Sequence, residues 1–597
     1  MTTYKAPLDS VLFLLADVLG FGRHRNLPGF AEMDGETVAA LLGEGARFAE
    51  TVLSPLNRTG DREGCVRHDD GSVTTPPGFR EAYAAYAAGG WIGLAADPAH
   101  GGQGLPYTLA AAMSEFVTSA NMAFGMYPGL TQGAIAAIAL HGSDSQKALY
   151  LPKLVSGRWA GTMNLTEPQA GTDLGLIRTR AAPQPDGSHA VSGTKIFISA
   201  GEHDLTENIV HLVLARIDGA PGGTRGLSLF VVPKFLPAAD GTPGARNAVL
   251  CTGLEAKMGI HGNATCAMAY DGATGWLVGE PDKGLRAMFT MMNEARIGVG
   301  LQGLALSEAA YQHAALYARE RRQGRALSGA KEPSAPADPI LVHADIRRTL
   351  ATIKGFNLAA RGLALQTALD ADITHRAADA SERQAAEDRL GLMTPVLKAV
   401  LTDRGFDNTV AAQQVFGGAG YIAETGAEQL VRDARIAMIY EGTNAIQALD
   451  LVGRKLPKDG GRAITAFFKD VGDLVKAHEG NTGLAPFVRP VKQGLAELQQ
   501  ATMWLVANAL SKPDNGAAGA TDTLQLLGLV ALGAMWVRIA AAAEALIAAG
   551  DPRSDRLRAD LLAGRVFMER TMPETTLRLA RVTAGADTLM AIPDGAF

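Results

Sequence analysis

Cysteine is nearly absent from this sequence: Cys65, Cys251 and Cys266 are its whole complement across 597 residues, widely spaced and without a CxxC pair. That excludes a disulfide framework and fits a reducing, cytoplasmic setting. An excess of charge of one sign is missing as well. The 55 basic and 61 acidic residues leave a formal net charge of −6. Such a balance supplies no footprint for nucleic acid and no broad attraction to anionic lipid, although a peripheral membrane contact stays open. No HExxH, paired CxxC or carboxylate cluster of metal-ligand spacing occurs, so no metal site is expected. No short period repeats, which argues against a solenoid.

A membrane span free of charge is lacking too. The apolar stretch 526–537 runs into Arg538 and then Glu544. An arginine near the middle of a span costs about 2.5–3.5 kcal/mol on insertion scales, so a buried bundle helix is expected there. The opening MTTYKAPLDSVLFLLADVLGF carries Asp9 and Asp17 within its apolar run, and it has neither a cationic start nor a small-residue cleavage site. It reads as an amphipathic helix, not a secretory leader.

What is present is apolar, helix-favouring sequence, 47% hydrophobic and 19% charged. At this length several domains are expected, large enough together to enclose a sizeable cofactor. After a helical extension over 1–35, apolar residues recur at helical spacing over 36–158, as in LAAAMSEFVTSANMAF, with the punctuation DPAHGGQGLP at 97–106. Over 159–283 the texture changes to β-branched and aromatic runs, HAVSGTKIFIS, NIVHLVLARI and GLSLFVVP, which predict a compact middle β-domain. Helical periodicity returns over 284–455, broken by GRALSGAKEPSAPADP at 324–339, which is expected to be exposed and mobile. A further run of amphipathic helices over 456–597, with loops at HEGNTG and SKPDNGAAGATD, reads as an added helical domain. The fold class is mainly α with a central β-domain.

Glu441 stands out chemically. The preceding IAMIY at 436–440 is largely apolar, and a carboxylate desolvated by such neighbours has its pKa raised toward neutrality, which strengthens it as a base. Gly442 leaves room beside it, and Thr443 or Asn444 can cap a helix that begins in AIQALDLV, so Glu441 would project from a turn on rigid structure. Taken alone, the commoner reading of YEG is a surface glutamate that favours a helix N-terminus. In KIFIS, strand alternation puts Phe197 and Ser199 on one face and Ile196 and Ile198 on the other. An aromatic wall with a hydroxyl suits a flat, hydrogen-bonding ring; the plainer alternative is a strand with one buried aromatic. In LTEPQAGTD at 165–173, small residues let backbone approach a cofactor while Thr166 and Thr172 offer hydrogen bonds, and the plainer alternative is a Pro/Gly-stabilised turn. The literal GxGxxG at 298–303 follows the helical MFTMMNEARI and not a strand, so it implies close helix packing and no dinucleotide fold. The methionines of MFTMM at 288–292 read as core filling.

LTEPQAGTD at 165–173 and IYEGTN at 439–444, with GGQGLP, GTKIFISAG, KMGIHG, ARIGVGLQG, RERRQG and QQVFGGAGY in their places over roughly 40–450, resemble the acyl-CoA dehydrogenase family. The resemblance implies a helical N-domain, a β-barrel-like middle domain and a helical bundle, with FAD as cofactor. It implies oxidation of an acyl-CoA to its trans-2-enoyl thioester, as in fatty acid β-oxidation. Glu441 would take the α-proton, FAD N5 the β-hydride, and an electron-transfer flavoprotein the electrons. The start YKAPLDSVLFLLADVLG and the late RVTAGADTLMA resemble a longer bacterial subgroup with extra C-terminal helices, which includes 3-methylmercaptopropionyl-CoA dehydrogenases and some long-chain enzymes.

By the same resemblance Met163, Leu165 and Thr166 line the flavin, Phe197 and Ser199 flank its ring, Thr443 joins the cofactor site, and Thr172 lies near the flavin pyrophosphate or the CoA. Arg321, with Gln414 and Gly418, would reach the FAD pyrophosphate of a neighbouring subunit, which implies at least a homodimer. Asn293 and Arg296, one helical turn apart, fall where the family holds CoA, while Tyr440 and Gly442 flank the substrate. The N–H of Glu441, with a ribityl hydroxyl of FAD, would donate to the thioester carbonyl and so acidify the α-carbon. Glu294 is the rival base. Some members carry theirs on this earlier helix immediately before the arginine matching Arg296, a place held here by Ala295, which leaves Glu294 about 100° round the helix. An acyl-CoA oxidase is the neighbouring alternative; a non-catalytic acyl-CoA or flavin-binding scaffold is the alternative of another class, against which the intact YEGT argues.

Overall fold

The computed structural model describes residues 4–597, the side chains of Asn293 and Glu294 excepted, so those two sequence candidates lie outside the described side chains. The chain divides into two compact units, Glu44–Gly298 and Met1–Gly43 with Val299–Phe597.

In the unit Glu44–Gly298 the helices Tyr107–Ala120, Met122–His141 and Asp144–Val155 form where the apolar periodicity places them. Each of the last two has a side-chain cap: Asn121 Oδ1 accepts the N–H of Phe124 at 3.0 Å, and Ser143 and Gln146 make a reciprocal capping box. Helix Met122–His141 packs on the strand Trp159–Asn164, where a Cβ on Gly161 would lie 2.4 Å from the Ala134 side chain, so only glycine permits this approach.

Seven strands form the sheet. Trp159–Asn164 runs parallel to Asn208–Ile217, which also runs parallel to Arg180–Pro183 and antiparallel to Leu227–Pro233. Arg180–Pro183 continues antiparallel to His189–Ser199, and that strand pairs with Thr265–Val278, whose far end returns to Leu227–Pro233. Five strands thus close a ring, with Trp159–Asn164 and Val249–Leu254 attached outside it. Val191, Ile198, Val213, Phe230, Val232 and Tyr270 belong to the core it encloses. Closure explains why NIVHLVLA reads as one continuous apolar run: Asn208–Ile217 has neighbours on both edges, and its first eight residues are buried.

Strict alternation in KIFIS does not hold. Lys195 pairs with Met268 and Ile198 with Cys266, so three steps on one strand match two on its partner, a β-bulge. Phe197 takes φ +59° there and is 59% exposed, while Lys195 and Ile198, three residues apart, are both buried. The bulge interrupts period-two geometry at Ile196 and Phe197, so alternation along the whole of KIFIS does not by itself set the faces.

The unit containing Val299–Phe597 is a bundle built on the part of helix Gly284–Glu320 from Val299 onward, Ala344–Arg376 and Ala380–Val415, followed by Arg462–His478, Ala485–Asn508, Pro513–Ala548, Ser554–Arg570 and Glu574–Thr583. Two of the three glycines of GVGLQG, Gly300 and Gly303, allow close helix approach as expected, while a Cβ on Gly298 would meet nothing. A Cβ on Gly303 would meet the Leu401 carbonyl at 2.3 Å, and one on Gly405 would meet the Gly303 carbonyl at 2.2 Å, so the two helices touch backbone to backbone.

The N-terminal helix Leu8–Phe13 buries Val11 and Phe13 in this unit, and Asp17 just beyond it pairs with Arg553 at 2.9 Å. The methionines Met288 and Met291, in the other unit, are fully buried core.

Two expectations need correction. SKPDNGAAGATD is not a loop: the helix Pro513–Ala548 begins at Pro513 in its first turn and takes in the rest, because Gly516, Gly519 and Ala520 are small enough to be buried against neighbours. The segment 324–339 is largely exposed but has a fixed centre. The buried Asp338 carboxylate accepts the N–H groups of Ala326, Lys331 and Glu332 at 2.8–3.1 Å and an Arg325 Nη1 at 3.3 Å. Those donors hold the Asp338 carboxyl well below the usual range.

Among the described residues, Met122–His141 and Pro513–Ala548 are long and apolar enough to cross a membrane by length and composition. Within the unit, 83% of the apolar window of Pro513–Ala548 is buried by protein. Trp536 of that helix donates its indole N–H to the Gly355 carbonyl at 2.9 Å, and Arg538 donates to Gln366 at 3.4 Å, so its polar groups find protein partners.

Candidate active site

In the unit Glu44–Gly298, the expected flavin-lining residues gather around one buried ion pair. Glu167, the acid of LTEPQAGTD, is 3% exposed, and Lys195, the lysine of GTKIFIS, is fully buried; their charged atoms are 2.9 Å apart. The Glu167 carboxylate also accepts the N–H of Arg178 at 2.7 Å and both the N–H and the hydroxyl of Thr179 at 3.0 and 2.5 Å. Burial alone would raise this carboxyl, but the Lys195 charge and these donors outweigh it and hold it at about 2. Lys195 Nζ donates in addition to the Leu165 carbonyl at 2.9 Å, and the Ile196 N–H donates to the Thr166 carbonyl at 2.9 Å. The two motifs are therefore stitched together along 165–167 and 195–196. Met163 and Thr166 lie half-buried and Leu165 buried on this seam, Thr172 is exposed beyond it, and the half-buried Ser199 accepts the Thr162 hydroxyl on its carbonyl at 2.7 Å.

The bulge presents the Phe197 ring, 59% exposed, beside the 165–167 seam of this unit. The left-handed backbone at Phe197 carries a penalty of about 1–2 kcal/mol for an L-residue. A planar, partly apolar cofactor with hydrogen-bonding edges fits this arrangement of exposed ring, backbone carbonyls and hydroxyls.

In the other unit, Glu441 occupies a turn with φ +58°, followed by Gly442 at φ +81°. The turn is anchored from three sides. Gln447 Nε2 donates to the Glu441 carbonyl at 3.0 Å, and the fully buried Lys398 donates to the Gly442 carbonyl at 2.8 Å and to Asn444 Oδ1 at 2.7 Å. Thr443 caps the helix Asn444–Asp450 by accepting the Ile446 N–H at 3.4 Å. Glu441 is half-buried, and the Tyr440 hydroxyl before it donates to Gln302. Burial, with the Glu441 charge adding to it, pushes the Tyr440 hydroxyl far above its ordinary range, so it stays a neutral donor. Glycine is favoured at 442 by its positive φ, and a Cβ there would crowd Gln447 Nε2 at 2.8 Å.

Arg321, Gln414 and Gly418 are exposed on this unit, Arg321 at the end of Gly284–Glu320 and the other two at the end of Ala380–Val415. Arg296 is buried, at 8% exposed. Sequence reasoning missed Glu167, Lys195, Lys398, Gln447 and Gln302. Lys398 had a readable signal: a single lysine within the apolar helical run LGLMTPVLKAVL must find buried partners.

A closed β-ring carrying the 165–173 loop and a helical bundle carrying a glutamate on an anchored turn agree with the domain and relative matches, which show that the chain belongs to the acyl-CoA dehydrogenase family. The family's N-terminal, middle and C-terminal domains match residues 36–158, 162–273 and 282–456, and a domain described as acetyl-CoA dehydrogenase C-terminal like matches 467–593. Among named relatives it is 43% identical to the 3-methylmercaptopropionyl-CoA dehydrogenase of Ruegeria pomeroyi, over 98% of this chain and 99% of the relative. It is 35% identical to the broad-specificity linear acyl-CoA dehydrogenase FadE5 of Mycobacterium tuberculosis, over 93% of each. An acyl-CoA dehydrogenase of Bacillus anthracis complexed with FAD shares the fold at TM-score 0.73 and 20% identity, covering 95% of this chain and 90% of that one. The protein is thus a flavoenzyme with FAD as cofactor that dehydrogenates acyl-CoA.

Proposed function

We propose that Glu441 is the base that removes the α-proton of an acyl-CoA. The observation that carries this is the anchored turn: both carbonyls around the 441–442 peptide unit are held by side chains, Gln447 and Lys398, at 3.0 and 2.8 Å. A base held this way meets its proton without first paying an ordering cost in the transition state. FAD, when bound, supplies the acceptor for the β-hydride. The N–H of Glu441 is the donor to the thioester carbonyl, which stabilises the charge that develops as the α-proton leaves. Met163, Leu165, Thr166, Thr172, Phe197 and Ser199 hold the flavin, with Thr443; Asn293, Arg296, Tyr440 and Gly442 serve the substrate, as Thr172 does at its CoA end.

The substrate is a saturated acyl-CoA of linear chain, and 3-methylmercaptopropionyl-CoA is placed first because the relative of that name is similar along the full length. Electrons pass to an electron-transfer flavoprotein. Arg321, Gln414 and Gly418 serve the flavin of a second subunit in a cytoplasmic homodimer. Anaerobic addition of acyl-CoA to the purified yellow protein is expected to bleach its flavin, and Glu441→Gln to abolish bleaching while leaving flavin content unchanged. Bleaching at the wild-type rate in that variant would falsify the assignment of the base. A steady-state panel of short to long acyl-CoAs, with 3-methylmercaptopropionyl-CoA included, ranks the substrates. Rapid peroxide formation by the protein alone would mark it as an oxidase.

A further inference from the structure

Gln525 lies in the middle of Pro513–Ala548, a helix of the appended C-terminal region, and only 4% of it is exposed. Its Nε2 donates to Asp403 Oδ2 at 2.7 Å. The other oxygen of that carboxylate, Oδ1, accepts from Asn444 Nδ2 at 2.6 Å. Asn444 Oδ1 in turn accepts from Lys398 Nζ, which reaches the Gly442 carbonyl next to Glu441.

The direction of the chain is set at each link. Asn444 Nδ2 also faces the Thr402 hydroxyl at 3.0 Å and the Ala399 carbonyl at 3.3 Å, so its amide group cannot turn over without losing these acceptors and presenting N–H groups to an ammonium. Asp403 takes one donor from each side and is thereby fixed in plane. Packing registers the two helices: Gln525 and Gly528 are one turn apart, as are Val400 and Asp403, and a Cβ on Gly528 would lie 2.5 Å from the Val400 side chain. The appended helix therefore seats at contact distance on the helix that carries both Lys398 and Asp403.

We propose that the appended C-terminal region positions the catalytic turn through the relay Gln525, Asp403, Asn444 and Lys398, so that these are positioning residues for proton abstraction. This rests on the reading of Glu441 as the base. Two consecutive left-handed residues, one of them not glycine, relax toward ordinary dihedrals when their carbonyl anchors loosen. A displacement of the base by even about 1 Å can cost on the order of a hundredfold in rate, and a partial loosening from a remote link about tenfold.

The test uses the full-length holoenzyme, anaerobic stopped-flow bleaching of the flavin, and the acyl-CoA that reduces the wild-type protein fastest. Gln525→Leu, which removes the donor while keeping bulk, is expected to slow flavin reduction about tenfold at saturating substrate, with the acyl-CoA dissociation constant within about twofold of wild type. Lys398→Met is expected to cost more, Lys398→Arg to recover part of the loss, and adding Gln525→Leu to Lys398→Met to cost nothing further, since members of one relay are not additive. Reduction at the wild-type rate in Gln525→Leu overturns the relay. So does an independent, multiplicative loss in the double variant, and if Lys398→Met does not fold the first outcome still decides. Glu441→Gln runs in parallel: if it still bleaches, the base assignment has failed, whereas a dead Glu441→Gln beside an unaffected Gln525→Leu rejects the relay alone.

Discussion

Lys195→Met should be among the most damaging single substitutions in the unit Glu44–Gly298. It leaves Glu167 buried at 3% exposure without its only ammonium contact among the described hydrogen bonds, still accepting from Arg178 and Thr179. Removing one partner of a buried ion pair costs about 3–5 kcal/mol, because the remaining charge keeps its desolvation and loses its compensation. The acid side gives a consistent figure. A carboxyl moved from 4.5 to about 2 carries about 3 kcal/mol of pH-linked stability. Its folded value lies below its unfolded value, so that stability is fully present above pH 4.5 and is lost as the pH falls toward 2.

In Lys195→Met burial is no longer opposed, the carboxyl rises, and the acid limb shifts to higher pH. For a unit of this size the thermal transition should fall by about 6–20 °C at neutral pH. The loss of the Nζ contact to the Leu165 carbonyl should also loosen the 165–173 loop and lower flavin content. Differential scanning calorimetry of holoprotein between pH 4 and 8, with the flavin-to-protein absorbance ratio, measures all three. A transition within about 2 °C of wild type, together with full flavin content, refutes the argument that this pair anchors the loop.

Gly442→Ala sets a Cβ 2.8 Å from Gln447 Nε2 at φ +81°, so it should cost about 1–3 kcal/mol and slow flavin reduction more than it weakens acyl-CoA binding; stopped-flow and equilibrium titration separate the two effects. Asp338→Asn replaces one acceptor oxygen by an amide that faces backbone N–H groups, so the segment 324–339 should become the first site of limited proteolysis, while global melting changes little. Cleavage at unchanged positions and rates would show that Asp338 does not organise the segment.

The order of helical layer, β-domain and helical layers was legible in the sequence because periodicity and turn residues act over a few neighbours, and those neighbours are adjacent in the chain. The turn at Glu441 was legible for the same reason: Gly442 frees the backbone and Thr443 caps the next helix, both within two residues of it. Of the glycines of GVGLQG, Gly300 and Gly303 do mark close helix packing, whereas Gly298 faces open space. Local rules failed where a distant partner overrode them. The bulge at Phe197 depends on the register of Thr265–Val278, and Pro513–Ala548 absorbs a glycine-rich loop signal because its small residues are covered by other helices. Glu167 needs Lys195 across 28 residues, and the anchors of the turn at Glu441 come from Lys398 and, beyond it, Gln525. The features that single out Glu441, its apolar approach and the glycine beside it, lie in its own neighbourhood. What holds it still was decided by tertiary structure, because a buried charge or amide is satisfied by whichever group the fold brings to it, and no local pattern names that group.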